Sequence, residues 1–218
     1  SAASDVYKRQ EESNLLAGTE LVWLEDRLSA YLIHVNGSAK LKTEDGSIMH
    51  IGYDGKTDRP YRSLGKAMMR DGLIGPEGAS VPLIRRIYRH RAPEIDRLMY
   101  ENESYVFFTE YEGNAWPAGS LGVRVSPESS LATDKKVYPR GGIVLVDTEI
   151  ASFTGGKQDF VRLMLDQDTG GAIQAPGRAD IFMGIGATSG ILAGEQHAEG
   201  KLYYFFLKPE YLVSGGNR

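Results

Sequence analysis

The segment DTGGAIQAPGRADIFMG, residues 168–184, lies between two apolar, strand-like runs. Asp168 and Asp180 bracket a loop of small residues, and the flanking runs cover residues 160–165 and 181–183. Glycine lets the backbone turn tightly and approach a ligand closely, and the proline fixes one φ angle. Because buried strands are expected to hold both ends, the loop suits a site presented by a rigid scaffold. An ordinary tight turn with two exposed aspartates explains the same residues, so both interpretations stay open on spacing alone.

The composition is that of a folded, mildly acidic protein. The 218 residues are 41% hydrophobic and carry a formal net charge of −4. This size allows one domain or two small ones. The acidic balance argues against a nucleic-acid binder, which usually has a strong basic surplus. The chain has no cysteine, which excludes disulfides and thiolate metal sites. The sequence predicts no membrane span and no signal peptide.

The first ten residues are predicted to be a non-native scar. Residues 5–10, DVYKRQ, match the translation of a common sequencing adapter. We therefore expect the native N-terminus to be missing, and residues 1–10 are left out of the fold prediction.

Residues 31–53 have the pattern of β structure. Residues 31–35 predict a short strand. Residues 40–43 and 48–53 predict a hairpin around a turn at residues 44–46, whose sequence is Glu-Asp-Gly.

A helical stretch is predicted next. Two helices are capped by Ser63 and Ser80, and a third opens at Pro93. A group of basic residues lies in this stretch: Arg85, Arg86, Arg89, His90 and Arg91. It predicts a solvated helix face. The functional alternative is a contact to an anionic ligand.

From residue 104 the chain is almost purely β in pattern. Six strands are predicted, at residues 105–108, 121–125, 143–146, 160–165, 180–183 and 202–207. Many short strands with Gly- and Pro-rich connections indicate a closed barrel. We expect a domain boundary near residue 103.

Three familiar kinds of site do not fit the chain. Asp168-Thr-Gly170 resembles the aspartic-protease triplet, but that mechanism needs a second triplet or a homodimer. The four histidines are scattered without metal-ligand spacing. The glycines of residues 184–194 lack the context of a dinucleotide site and predict turns. A carboxylate site in a β-barrel remains, and glycosidic bond cleavage is a reaction that needs such an acid.

A series of short blocks lies in collinear order between about residue 21 and residue 207, at residues 35–38, 61–66, 72–73, 130–134, 138–141, 168–173, 177–182, 184–186 and 193–194. Together these blocks resemble the membrane-bound lytic transglycosylase A family with its C-terminal three-aspartate domain. The three aspartates that name the domain are matched by Asp134, Asp168 and Asp180.

The resemblance implies a mainly β fold: a double-psi β-barrel with a smaller β-rich domain, carrying a few short helices, inserted into it. Residues 11–103 would be the insert and residues 104–218 the barrel, with the barrel's N-terminal strands missing. A groove between the two would hold a peptidoglycan glycan strand.

The resemblance also implies the reaction. Family members cut the β-1,4 bond between N-acetylmuramic acid and N-acetylglucosamine without water and leave a 1,6-anhydro ring. Asp180 would be the single acid and base, with Asp168 and Asp134 supporting it. Neither a metal nor a cofactor is expected. The residues expected to contact the substrate are Gly170, Gly171, Ala172, Gln174, Arg178 and Ser63.

The chain departs from the family at a few positions. Gln174-Ala175 replaces a usual Lys-Gly, Met183 replaces a common aromatic residue, and Ala39 replaces a usual glycine. Two alternatives therefore stay open, a non-catalytic glycan-binding module and a hydrolase that uses water. The resemblance further implies a monomer that binds glycan strands and no nucleic acid. It places the full-length protein, with a lipid anchor, at the periplasmic face of the outer membrane.

Overall fold

The computed structural model describes residues 16–112 and 116–211, so the predicted scar at residues 1–10 lies outside the described residues. The chain divides into two compact units, with the division after Pro117. Among the described helices, none combines the length and the apolar character that a bilayer span requires.

The first unit combines helices with a three-stranded antiparallel sheet of order β1-β2-β3. Its elements are α1 (Arg27–Asn36), β1 (Ser38–Lys42), β2 (Ile48–Lys56), α2 (Leu64–Arg70), α3 (Val81–Met99) and β3 (Val106–Glu110). Strand β3 follows the predicted boundary near residue 103 and pairs with β2. The assignment of insert and barrel to particular residues stays a prediction.

The predicted hairpin is present as β1 and β2, with Lys42 opposite Ile48. Asp45 closes its turn, because its Oδ1 accepts hydrogen bonds from Thr43 Oγ1 at 2.5 Å and from Ser47 N at 3.0 Å. Gly46 supplies the positive φ, +85°, that the turn requires.

The strand predicted at residues 31–35 is wrong, because these residues lie in helix α1. Asp26 caps the helix by accepting a hydrogen bond from Ser29 N at 2.7 Å, and Gly37 ends it in the left-handed conformation. Leu28 and Tyr31 are buried one turn apart. A short apolar run does not distinguish a strand from a buried helical segment. Here the capping residues at both ends identify the segment as a helix.

The predicted caps Ser63 and Ser80 begin α2 and α3. The second and third predicted helices are the two halves of α3, which bends at Arg91. Pro93 lies just beyond the bend, where its ring removes a backbone donor and crowds the preceding turn. One core joins the helices: Leu28, Tyr31, Leu64, Ala67, Met68, Ile84, Ile95, Leu98 and Met99.

The basic residues of α3 are exposed, as expected of a solvated helix face. Arg91 pairs with Glu94, and Arg85 donates a hydrogen bond to Ser29 Oγ at 3.2 Å.

The second unit is built on a five-stranded sheet of order β7-β4-β6-β5-β8. Its elements are β4 (Ser130–Thr133), β5 (Ile143–Ala151), β6 (Lys157–Asp168), β7 (Ala179–Ile181), α4 (Ala187–Glu195), β8 (Gly200–Phe205) and a short 3₁₀ helix (Pro209–Tyr211). Strands β4 and β6 are parallel, and the other neighbours are antiparallel. The predicted fold class, mainly β with a few short helices, is confirmed. The sheet lies within the residues that the domain prediction assigns to the barrel.

The core of the second unit lies on one face of this sheet. Leu131, Val144, Val146, Ile150, Phe160 and Met164 form it. Within β6 the buried residues include Phe160 and Met164, whereas Val161, Leu163 and Leu165 are exposed. This alternation is the period-2 pattern of a strand.

Three features of the second unit differ from the prediction. Residues 121–125 are not a strand and contribute only the isolated bridge between Ala118 and Arg124. Residues 187–195 form α4 instead of turns, with Leu192 packed beside Ala151 and Met183. Strand β4 was not predicted, because all four of its residues are buried and show no alternation.

Candidate active site

Asp180 lies on β7, at the edge of the described sheet. Its carboxylate is 48% exposed and meets Arg178 in a fork, with Nε to Oδ1 at 3.1 Å and Nη2 to Oδ2 at 3.3 Å. The two side chains are two residues apart along an extended chain and therefore share a face. Exposed ion pairs contribute at most about 1 kcal/mol, so a ligand can displace Arg178 from Asp180 at little cost.

Strand β4 brings the two ends of the 168–184 segment into one row. Ala132 is opposite Asp180 on one side and opposite Asp168 on the other. With one strand between them, the two aspartate Cα atoms are roughly 10 Å apart, twice the ordinary strand spacing. The pair is thus near enough to belong to one site.

Asp168 ends β6 and is largely buried. Its Oδ1 accepts a hydrogen bond from Ser120 N at 2.8 Å. Burial raises the pKa of the Asp168 carboxyl, against the lowering effect of the backbone donors at Thr169 and Ser120. The Asp168 carboxyl group therefore loses its proton at a higher pH than an exposed aspartate does.

The segment that holds Asp168 packs tightly on the end of β6. Leu121 N donates a hydrogen bond to Gln167 O at 3.4 Å. A Cβ atom at Gly119 would lie 2.6 Å from the same carbonyl oxygen, so only glycine fits there. Ser120 Oγ is buried and is without a hydrogen-bond partner among the described residues.

Asp134 follows β4 and anchors the loop. Its Oδ1 accepts a hydrogen bond from Lys136 N at 2.9 Å, and its Oδ2 accepts one from Ala175 N at 2.8 Å. These two backbone donors lower the pKa of the Asp134 carboxyl. A charged carboxylate therefore ties the middle of the loop to the end of strand β4.

The loop between the two aspartates is ordered by its own contacts. A turn closes from Gly170 O to Ile173 N at 3.0 Å, and Ile173 is buried. Gln174 Nε2 donates a hydrogen bond to Gly171 O at 3.0 Å. Gly171, Ala172, Gln174 and Arg178 are exposed, and Gly170 is half-buried.

Two family models match this chain, one in each part. The MltA specific insert domain matches residues 3–109, and the 3D domain matches residues 129–206. The chain belongs to the membrane-bound lytic murein transglycosylase A family. The three aspartates of the site lie within the 3D-domain match.

Curated relatives cover most of this chain. The membrane-bound lytic murein transglycosylase A of Escherichia coli K12 is 30% identical over 193 residues, which are 87% of this chain and 52% of the relative. The protein of that name from Vibrio cholerae is 28% identical over 192 residues, 85% of this chain and 51% of the relative. The chain thus spans about half the length of the curated relatives it matches.

Solved structures of the family share the fold. The Agrobacterium tumefaciens membrane-bound lytic murein transglycosylase matches with a TM-score of 0.79 and 30% identity. The match covers 90% of this chain and 55% of the Agrobacterium chain. E. coli MltA with bound chitohexaose matches with a TM-score of 0.77 and 26% identity. The match covers 92% of this chain and 60% of the E. coli chain.

One departure from the family pattern has a backbone consequence. Ala175 stands where the family resemblance predicts glycine, and its φ is +71°. A residue with a Cβ atom is strained in this left-handed conformation. The hydrogen bond from Ala175 N to Asp134 helps to hold it there.

Ser63 is the one predicted contact residue that lies in the first unit. Its Oγ accepts a hydrogen bond from Lys66 N at 3.4 Å and caps α2. A role in substrate contact stays a prediction for this MltA-family chain.

The sequence prediction missed a buried carboxylate behind the site. Asp166 is fully buried on β6, where it accepts hydrogen bonds from Thr133 Oγ1 and Tyr204 Oη, each at 2.7 Å, and pairs with Lys135. The alternation of β6 could have predicted its burial, because Asp166 is an even number of positions from the core residues Phe160 and Met164 and therefore points to the same face of the strand. A charged residue at a core position indicates a buried partner.

Proposed function

We propose that the chain carries the catalytic site of a lytic transglycosylase. This enzyme would cleave the β-1,4 bond between N-acetylmuramic acid and N-acetylglucosamine in peptidoglycan and form a 1,6-anhydromuramoyl product. The observation that carries the proposal is the exposed carboxylate of Asp180, placed in one row with Asp168 beside an ordered loop in a chain of this family.

The proposed reaction needs one carboxyl group. Asp180 in its protonated form gives its proton to the glycosidic oxygen as the bond to C1 breaks. The resulting carboxylate takes the proton from the muramoyl O6 hydroxyl, and O6 attacks C1 of the same sugar. The proton lost in the first step is regained in the second, and no water is consumed. Because the nucleophile belongs to the substrate, a second carboxylate at glycosidase distance is unnecessary.

Asp168 and Asp134 act as supporting groups in this proposal. Asp134 fixes the loop through Ala175. Asp168 fixes the segment before β4 through Ser120. Arg178 holds the Asp180 carboxylate in the free chain and is free to contact the glycan once the glycosidic oxygen takes its place. The exposed Gly171, Ala172 and Gln174, with half-buried Gly170, are proposed to line the sugar site.

Substitution of Asp180 tests the proposal. Asp180→Asn removes the transferable proton and preserves shape, so we expect turnover of purified sacculi to fall by at least a thousandfold while chitohexaose affinity stays within a few-fold of the parent. General acid–base assistance alone contributes about 10²–10⁴-fold. Asp159→Asn, at an exposed position near the start of β6, is the matched control. Near-parental turnover by Asp180→Asn contradicts the proposal.

A non-catalytic glycan-binding module is the second candidate. The observation that favours it is the fork between Arg178 and both oxygens of Asp180. In that case Arg178→Gln lowers chitohexaose affinity and no product forms in the parent at any pH. If Arg178 is displaced during catalysis, the same substitution leaves measurable turnover.

We further propose that the full-length protein binds peptidoglycan glycan strands as a monomer at the periplasmic face of the outer membrane, held by a lipid anchor. Support comes from relatives named membrane-bound and from the E. coli structure with bound chitohexaose. Fractionation of cells that express the full-length protein tests this placement, and recovery of the protein away from the outer membrane would contradict it.

A further inference from the structure

Asp166 joins three strands of the second unit in one buried polar cluster. The cluster consists of Asp166 on β6, Thr133 on β4, Lys135 just after β4 and Tyr204 on β8. Asp166 and Thr133 are fully buried, and the Lys135 side chain is 10% exposed. Lys135 Nζ also donates a hydrogen bond to Thr133 Oγ1 at 2.9 Å.

The cluster continues to the loop of the candidate site. The Tyr204 ring stacks on the Tyr138 ring, with centroids 5.0 Å apart and planes 9° from parallel. Tyr138 Oη donates a hydrogen bond to Pro176 O at 2.8 Å. A continuous path of contacts therefore runs from Asp166 to the residue next to Ala175.

A second path is shorter. Thr133, which donates to Asp166, directly precedes Asp134, and Asp134 holds Ala175 N. Ala132, one residue earlier, is opposite Asp180. The buried carboxylate thus fixes the end of β4 from below, and β4 positions both Asp134 and Asp180.

We propose that Asp166 is a positioning residue for the Asp134–Asp180 site and acts through Thr133 and the Tyr204–Tyr138 stack on the 171–178 loop. The expected effect of Asp166 on turnover rests on the proposed function. The expected effect of Asp166 on the order of the loop rests on the geometry alone.

The physical basis is the cost of an uncompensated buried charge. A buried ion pair contributes little net stability compared with apolar packing, but removal of one partner is strongly destabilising. Such a pair also has strict geometric requirements, because each hydrogen bond fixes the direction of a donor. Burial raises the pKa of the Tyr204 phenol and its bond to Asp166 raises it further, so Tyr204 remains a donor.

Amide hydrogen exchange of the loop is the first test, and it needs no turnover. Tyr138→Phe removes one hydroxyl at the outer end of the path and keeps the ring stack. We expect exchange at the amide of Ala175 to accelerate at least tenfold in Tyr138→Phe and in Asp166→Asn, with no change in Tyr203→Phe, the matched control on β8. Unchanged exchange at Ala175 in Tyr138→Phe rules out the path through the Tyr204–Tyr138 stack. Unchanged exchange at Ala175 in the double variant Asp166→Leu with Lys135→Met overturns the proposal, and this holds even if Asp166→Asn does not fold.

An apolar replacement separates positioning from stability. The double variant Asp166→Leu with Lys135→Met removes both charges together and is expected to melt within a few degrees of the parent. We expect its turnover to remain at least tenfold below the parent, with KM little changed, because the loop loses its anchor. Parental turnover in this variant shows that the cluster serves stability alone and overturns the proposal. If the parent itself releases no product, the proposed function fails, while the exchange measurement still decides whether Asp166 positions the loop.

Discussion

At the residue scale, the site depends on how each aspartate is held. Asp134 is charged and bound by two backbone donors, Asp168 is largely buried, and Asp180 is exposed beside Arg178. The sequence identified these three residues through the family resemblance. It did not predict their different environments, because those depend on Ser120 and Arg178 and on the burial of each strand end.

Ala175→Gly is expected to stabilise the chain. Ala175 has a φ of +71°, and relief of the left-handed strain is expected to contribute about 1 kcal/mol. Urea unfolding of the parent and the variant measures the difference. Ala172→Gly, an exposed change in the same loop without positive φ, serves as the control and should give no gain. A loss of stability in Ala175→Gly equal to that in the control contradicts the strain argument.

Asp168→Asn is expected to change the pH dependence of stability. Burial raises the pKa of Asp168 in the folded state, so between the unfolded value near 3.9 and the raised pKa the folded chain binds more protons. This group's contribution to stability is therefore full below pH about 3.9 and is lost as pH rises through the raised pKa. Melting temperatures across pH 3–8 should show the parent losing stability relative to the variant as pH rises. A difference that is constant across this range contradicts the assignment.

At the scale of elements, local chemistry was a good guide where a cap or a turn decides the structure. The caps at Ser63 and Ser80 and the β1–β2 turn were predicted from residues that interact within a few positions. The wrong strand at residues 31–35 and the missed β4 are short apolar stretches, where burial by distant residues decides. The row of Asp168, Ala132 and Asp180 depends on β4, so the sequence did not predict it.

Gly119→Ala tests the element that packs on the end of β6. The new Cβ atom would lie 2.6 Å from Gln167 O, a backbone atom that cannot rotate away. We expect a loss of about 1–3 kcal/mol, as for other overpacked positions. Gly177→Ala, with open space around its Cβ position, is the matched control. Equal unfolding free energies for the two variants would show that residues 119–121 are not held against β6.

At the scale of the whole molecule, the fold class and the reaction were predicted by different arguments. Strand patterns from residue 104 onward indicated a β domain, and the collinear order of blocks that resemble the family indicated the family. The buried Asp166 cluster was outside both arguments. It joins β4, β6 and β8, which are far apart in sequence, and only the sheet order brings them together.

In the proposed reaction, this site cleaves glycan strands without water. Mass spectrometry of the soluble products from purified peptidoglycan sacculi tests it most directly, with the chain and with a version extended to the length of its relatives. We expect muropeptides one water lighter than their hydrolysed counterparts, as a 1,6-anhydro ring requires, and none from Asp180→Asn. Reducing muropeptides, or lighter products that persist in Asp180→Asn, would contradict it.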